Sequence, residues 1–152
     1  MMLRERLTQA LKDATLSKDS CATATIRLVL AALKDRDIAA RSKERTEGLD
    51  DDEILSLLQT MVKQRRESIT MYEKGERPDL AEREAREIDV IQRFLPAQMD
   101  ETSTAAAVGD VVTELGAEGL KDMGRVMGAL RARYAGRMDF SRASALAKER
   151  LS

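Results

Sequence analysis

The sequence contains no histidine and no tryptophan, a single cysteine, and 3% aromatic residues in 152. Each shortage removes a class of function. Without histidine the commonest general base near neutral pH is missing. The remaining metal-ligating groups are carboxylates, interleaved with Lys and Arg as on a solvated helical face, so neither a metal nor another cofactor is expected. The stacking platforms of single-strand RNA binders need exposed aromatic rings, and few are available. Cys21 cannot form an internal disulfide and has no histidine partner. Its place at a helix start beside Ala22, Ala24 and Ile26 suits a structural core cysteine in a reducing compartment.

Long apolar runs are also lacking. The opening MMLRERLTQALKDATLSK carries a charge every few residues and has no signal-peptide core. No window approaches the roughly 20 apolar residues of a membrane span. A cytoplasmic location and no membrane partner are expected. No phosphate-cradling G-x-x-x-x-G-K-[ST] loop occurs, since GRVMG lacks the lysine and the preceding strand. Net charge is -1 and the sequence pI about 5.7. That excludes a globally basic nucleic-acid binder but leaves room for a local basic patch; no DNA partner is expected.

What the chain does have is helical periodicity. Leu3, Leu7, Ala10, Leu11 and Ala14 form one stripe; Ile26, Val29, Leu30 and Leu33 form a second. Ala31 and Ala32 beside the second suggest a helix buried on more than one side. Asp50 is placed to cap the next helix, with Glu53 as its capping-box partner. That helix carries Ile54, Leu55, Leu58, Met61, Val62, Ile69 and Tyr72. KGERPD should end it, with Gly75 as C-terminal cap, Pro78 blocking continuation and Asp79 capping the fourth helix. That fourth helix would bury Leu80, Ile88, Ile91 and Leu95. At FLPAQMDE, Pro96 disfavours helix at Leu95. Beyond it the chain is rich in Ala and Gly, with helical segments near Glu101–Leu115, Lys121–Arg133 and Phe140–Leu151. The expectation is an all-α protein: an N-terminal domain of about four helices over residues 1–96, then a small three-helix bundle over 97–152.

Charge separates within the second part. From Asp100 to Gly119 every ionised residue is acidic. From Leu120 onward eight cations stand against three carboxylates, a local charge of +5. Five of the eight glycines also fall between residues 116 and 136. Gly124 and Gly128 sit inside an apparent helix, where each glycine costs roughly 1 kcal/mol relative to alanine. Two explanations compete. Bare backbone allows close helix packing, in which case Gly128→Leu would overpack the small bundle. Alternatively it lets a bulky polar ligand such as a phosphodiester chain approach, with flanking arginines on the phosphates. A second basic cluster, Lys63, Arg65 and Arg66 in KQRRES, suits an exposed helical face paired with Glu67 and Glu73.

LKDMGRVMGALRARYAGRMD resembles the signature of the GatB/YqeY family. TIRLVLAALKDRDI, the segment Leu57–Met99 and GAEGLKDMG match its other landmarks in order, so the resemblance covers nearly the whole chain. It implies a helical N-terminal domain followed by a three-helix domain similar to the tail of the B subunit of the tRNA-dependent amidotransferase. That enzyme is a glutamine-dependent carbon–nitrogen ligase acting on aminoacyl-tRNA, and its tail helps to hold the tRNA. By this resemblance the chain is a non-catalytic tRNA-binding or tRNA-enzyme accessory module. Its partners would be tRNA and an aminoacyl-tRNA synthetase or amidotransferase. A protein–protein adaptor docking such an enzyme is the alternative, and participation in amide transfer the remoter one. Lys121, Gly124, Arg125, Gly128, Gly136 and Arg137 lie on the family's pattern. Arg131 and Arg133 join them by charge and proximity. No residue is assigned to catalysis. The ending MDFSRASALAKERLS departs from the family's valine-rich last helix, which leaves its register and any role for Arg142 open.

Overall fold

The computed structural model describes residues 2–152 and is all-α, with no strand among the described residues. Helices α1 (Leu3–Leu16), α2 (Ser20–Arg41), α3 (Asp51–Lys74) and α4 (Pro78–Gln92) belong to a first compact unit that ends at Pro96. Helices α5 (Glu101–Leu115), α6 (Met123–Tyr134) and α7 (Phe140–Leu151) make up a second, Ala97–Ser152. A single 3-10 turn, Leu120–Asp122, leads into α6.

In the first unit α3 and α4 pair as a hairpin, and α1 and α2 pack beside them. The core holds Leu7, Val29, Ile54, Leu58 and Ile91, all essentially inaccessible to water. Cys21 is half-buried and packs against this core. The start of α3 is capped as the spacing predicts: Asp50 accepts from the Glu53 N–H at 2.9 Å and Glu53 reaches back to the Asp50 N–H. α2 differs from expectation. Ala31 is exposed and Ala32 half-buried, so only one face of the helix is covered. Alanine has the highest helix propensity and is therefore also used on exposed helix faces, so its presence did not report burial.

The α3–α4 turn is also built one residue away from the expected pattern. Gly75 has φ -85, and Glu76 takes the left-handed conformation at φ +56. The Arg77 N–H reaches the Tyr72 carbonyl at 2.8 Å and the Glu76 N–H that of Glu73 at 3.2 Å, the paired bonds of a Schellman cap. Asp79 does not cap α4. Pro78 is its first residue, where a missing N–H costs nothing, and Asp79 lies in the first turn, bonded to the exposed Arg77.

KQRRES is only partly a solvated face. Lys63 and Arg66 are exposed, but Arg65 turns inward to Glu87 of α4 at 2.8 Å, with side-chain exposures of 13% and 14%. A second clasp joins three segments. Arg4 binds both carboxylate oxygens of Asp37 at 2.6 and 2.7 Å and donates to the Leu49 carbonyl. Asp37 also accepts the Leu49 N–H. The Arg4 guanidinium therefore holds the Asp37 carboxyl below its ordinary range.

In the second unit the core comprises Val108, Val111, Val126, Leu130 and Met138 with the α7 series Ala143, Ala147 and Leu151. That series, at spacings of four, settles the register of the last helix. Asp139 caps it by accepting from the Ser141 and Arg142 N–H groups. Arg142 points outward and pairs with Glu101 at 2.8 Å, both side chains about half exposed.

Candidate functional site

The residues singled out by the sequence lie in the 3-10 turn before α6, on α6 and in the turn after it. The helix expected from Lys121 starts at Met123, and Lys121 belongs to the preceding 3-10 turn. Val126, Met127 and Leu130 face the core. With 3.6 residues per turn, Gly124, Gly128 and Arg131 then line up away from it, with Arg125 beside them. These four and Lys121 are exposed. The α6 face carries two cations around two bare stretches of backbone, and Lys121 stands just before its first turn.

The glycines on that face have no packing role inside the second unit. A Cβ built on Gly124 or on Gly128 meets nothing within 4 Å. Neither residue has a positive φ, so neither is needed for backbone conformation. The close-packing explanation fails for this pair, and Gly128→Leu would not overpack the bundle. In this unit the glycine that does serve packing is Gly109 on α5: a Cβ there would lie 2.7 Å from the Arg150 guanidinium. It stands outside the glycine-rich stretch, and a helical glycine between Val108 and Asp110 carries no sequence signal that tells which atom crosses it.

Arg125 is anchored at the edge of the face. It donates to the Leu115 carbonyl at the end of α5 at 3.2 Å and to Asp122 at 3.3 Å. Asp122 also accepts the Glu118 N–H, which, with the Arg125 charge, holds its carboxyl below the usual range. Arg131 lies over the Phe140 ring, 5.7 Å from its centre.

The remaining candidates are placed elsewhere. Arg133 is on a different side of α6 and pairs with Glu114 of α5 at 2.6 Å. Gly136 is buried at φ +77, a turn conformation that favours glycine. Its carbonyl accepts from Gln98 at 2.6 Å, and the next carbonyl, of Arg137, accepts the Met99 N–H at 2.8 Å. Gly136 thus closes the bundle by tying the irregular segment before α5 to the α6–α7 turn. The Arg137 guanidinium lies over the Tyr134 ring and is exposed.

Among the described residues, no group of three or more Cys, Asp and Glu is placed to hold a metal ion. Among those residues, too, no helix is long and apolar enough to cross a membrane. A shallow depression of about 360 Å³ lies between α5 and α7, lined by Ala105, Leu146, Glu149 and Arg150. It does not include the glycine face.

A family model described as "Yqey-like protein" matches residues 4–151. Curated relatives bear the name "Altered inheritance of mitochondria protein 41, mitochondrial". The one from Lachancea thermotolerans is 36% identical over 112 residues, covering 72% of this chain and 57% of the relative. That from Kluyveromyces lactis is 34% identical over 112 residues, covering 72% and 58%. That from Vanderwaltozyma polyspora is 30% identical over 124 residues, covering 77% and 64%. The chain therefore spans less than two thirds of the length of these relatives.

Proposed function

Since the chain belongs to the Yqey-like family, we propose that it is a non-catalytic tRNA-binding or tRNA-enzyme accessory module whose RNA contact is the exposed α6 face. Its two units are separate domains in this reading, and the second carries the contact. The cytoplasm is its compartment, a point for fractionation, since the curated relatives carry "mitochondrial" in their names.

One observation carries the proposal. Gly124 and Gly128 face open space with ordinary helical backbone. Each lowers helix stability by roughly 1 kcal/mol with no packing gain inside its own unit. A ligand that needs the backbone itself would offset that cost. A sugar–phosphate chain fits that description: it can lie against a helix without side chains, while Lys121, Arg125 and Arg131 meet its phosphates. Recognition of shape and phosphate also needs few aromatic rings.

The test is a salt titration of binding to bulk tRNA. Lys121→Ala with Arg131→Ala is expected to weaken binding and to flatten the salt slope by up to about 2, near one per lost phosphate contact. Gly124→Ala with Gly128→Ala leaves the charge unchanged. It should raise the stability of the protein by about 1–2 kcal/mol, as exposed helical glycines allow, and still weaken tRNA binding. Circular dichroism monitors folding in both. Unchanged affinity in both variants removes RNA from this face.

A further inference from the structure

The first unit has an outer surface that the RNA reading does not use. α2 packs on α1 and α4 through one face. On the other face Ala24, Arg27, Leu28, Ala31, Lys34, Ile38 and Arg41 are all exposed. Arg27, Lys34 and Arg41 recur every seven residues, so they form a nearly straight row along about 21 Å of helix. Leu28 and Ile38 are large apolar side chains left 50% and 54% accessible. Ala24 and Ala31, between them, are small. From Ser20 to Lys34 the helix has no acidic residue. Of the acids beyond, Asp37 is already bound to Arg4, and Asp35 remains at the edge of the row.

We infer that this face docks an acidic amphipathic helix of a partner protein. The chemistry separates that occupant from the others. A second copy of the chain would bring the same row against itself, with Arg27 of one molecule facing Arg41 of the other, and like charges across an interface cost several kcal/mol. A nucleic-acid backbone would satisfy the three cations but leave the Leu28 and Ile38 side chains with nothing apolar to bury against. A membrane surface needs a broad apolar face, and this one offers two large chains over four turns. A helix with an apolar seam and carboxylates at seven-residue spacing uses every feature: the small alanines admit it closely, Leu28 and Ile38 flank its seam, and its acids meet the cationic row.

The experiment uses the full chain with a photo-crosslinking amino acid in place of Ala31, illuminated in extract of the source cells treated with ribonuclease. Crosslinked peptides are then sequenced. The expected product is a segment of one other protein with acidic residues at helical spacing. Its yield should fall at least about tenfold in Lys34→Glu and in Leu28→Glu, the loss corresponding to about 1.4 kcal/mol. Both sites are exposed, and circular dichroism confirms folding. Reversing the acids of the captured segment to lysine should restore crosslinking to Lys34→Glu. Crosslinks to a second copy, to RNA in untreated extract alone, to lipid, or to a segment without acidic residues overturn the inference, as does a yield that the two variants do not change. The outcome does not depend on the α6 face, so tRNA binding can fail while this contact stands.

Discussion

The two units end their helices differently and hold their elements together differently. In the first, Lys18, Glu44 and Glu76 take the left-handed conformation at φ +60, +67 and +56 just after α1, α2 and α3. In the second, Gly116 and Gly136 occupy such positions. The ion pairs between elements differ as well. Arg65–Glu87 in the first unit is mostly buried, whereas Arg133–Glu114 in the second has exposures of 44% and 52%. The first unit tolerates left-handed charged residues after three helices, uses one glycine, Gly48 at φ +74, in the α2–α3 turn, and has a shielded charge pair and a larger core. The second fills its left-handed positions with glycine alone, and then carries two further glycines that its own fold does not require.

The sharpest way to break this comparison is to remove one arginine from each unit. Arg65→Ala leaves the largely shielded Glu87 carboxylate with only the longer contact to Arg83, at 3.9 Å, and should cost about 1–3 kcal/mol. Arg133→Ala should cost much less, because both members of its pair are open to solvent. Urea unfolding at equilibrium measures both. If the units unfold in separate transitions, Arg65→Ala moves only one of them. Equal losses would mean that burial does not distinguish the pairs.

Helix ends come next. Glu76→Gly relieves a left-handed charged residue and should stabilise by about 1 kcal/mol, while Gly116→Ala should destabilise by about 1 kcal/mol. A Cβ at Gly116 meets no atom within 4 Å, so its cost is conformational alone. Thermal melts of the two variants should therefore move in opposite directions. A shift of both in one direction would show that something other than φ sets these positions.

Acid gives the smallest effect. The bond from Arg45 pulls Glu53 down from 4.5 to about 2. A carboxyl depressed in the folded state contributes stability that is complete above its unfolded value and is lost as pH falls toward its folded one. The first unit should thus weaken between about pH 4.5 and 2. Both side chains of the pair are more than a third exposed, so the loss should stay under about 1 kcal/mol. Arg45→Met should flatten the stability profile in that window and leave it elsewhere unchanged. A parallel profile in parent and variant would assign the acid sensitivity to Asp37 or to the second unit.

Helix type, the Asp50–Glu53 capping box and the span of α5 could be read from local pattern, because periodicity and capping act within one or two turns of chain. The last helix also began and ended where its apolar spacing suggested. The candidate site was legible only in part. Charge and glycine spacing brought Gly124, Arg125, Gly128 and Arg131 to one exposed face, with Lys121 just before it, since a helix fixes which residues share a side. Arg133 joins the group by charge and proximity and Gly136 by the family's pattern, and the fold gives them other work: an ion pair to α5 and a closing turn.

By itself the sequence determined that the elements are helices, which stripe of most is apolar, and that eight cations crowd the last 33 residues. Those are properties of short spacing. Only the tertiary structure decided that Arg65 turns inward to Glu87, that Ala31 and Leu28 stay outside, and that Gly124 and Gly128 touch nothing while Gly109 lies under Arg150. Each of those depends on which element arrives from far along the chain. A residue's own neighbours in sequence carry no record of that approach, and burial, pairing and open space exist only once it has happened.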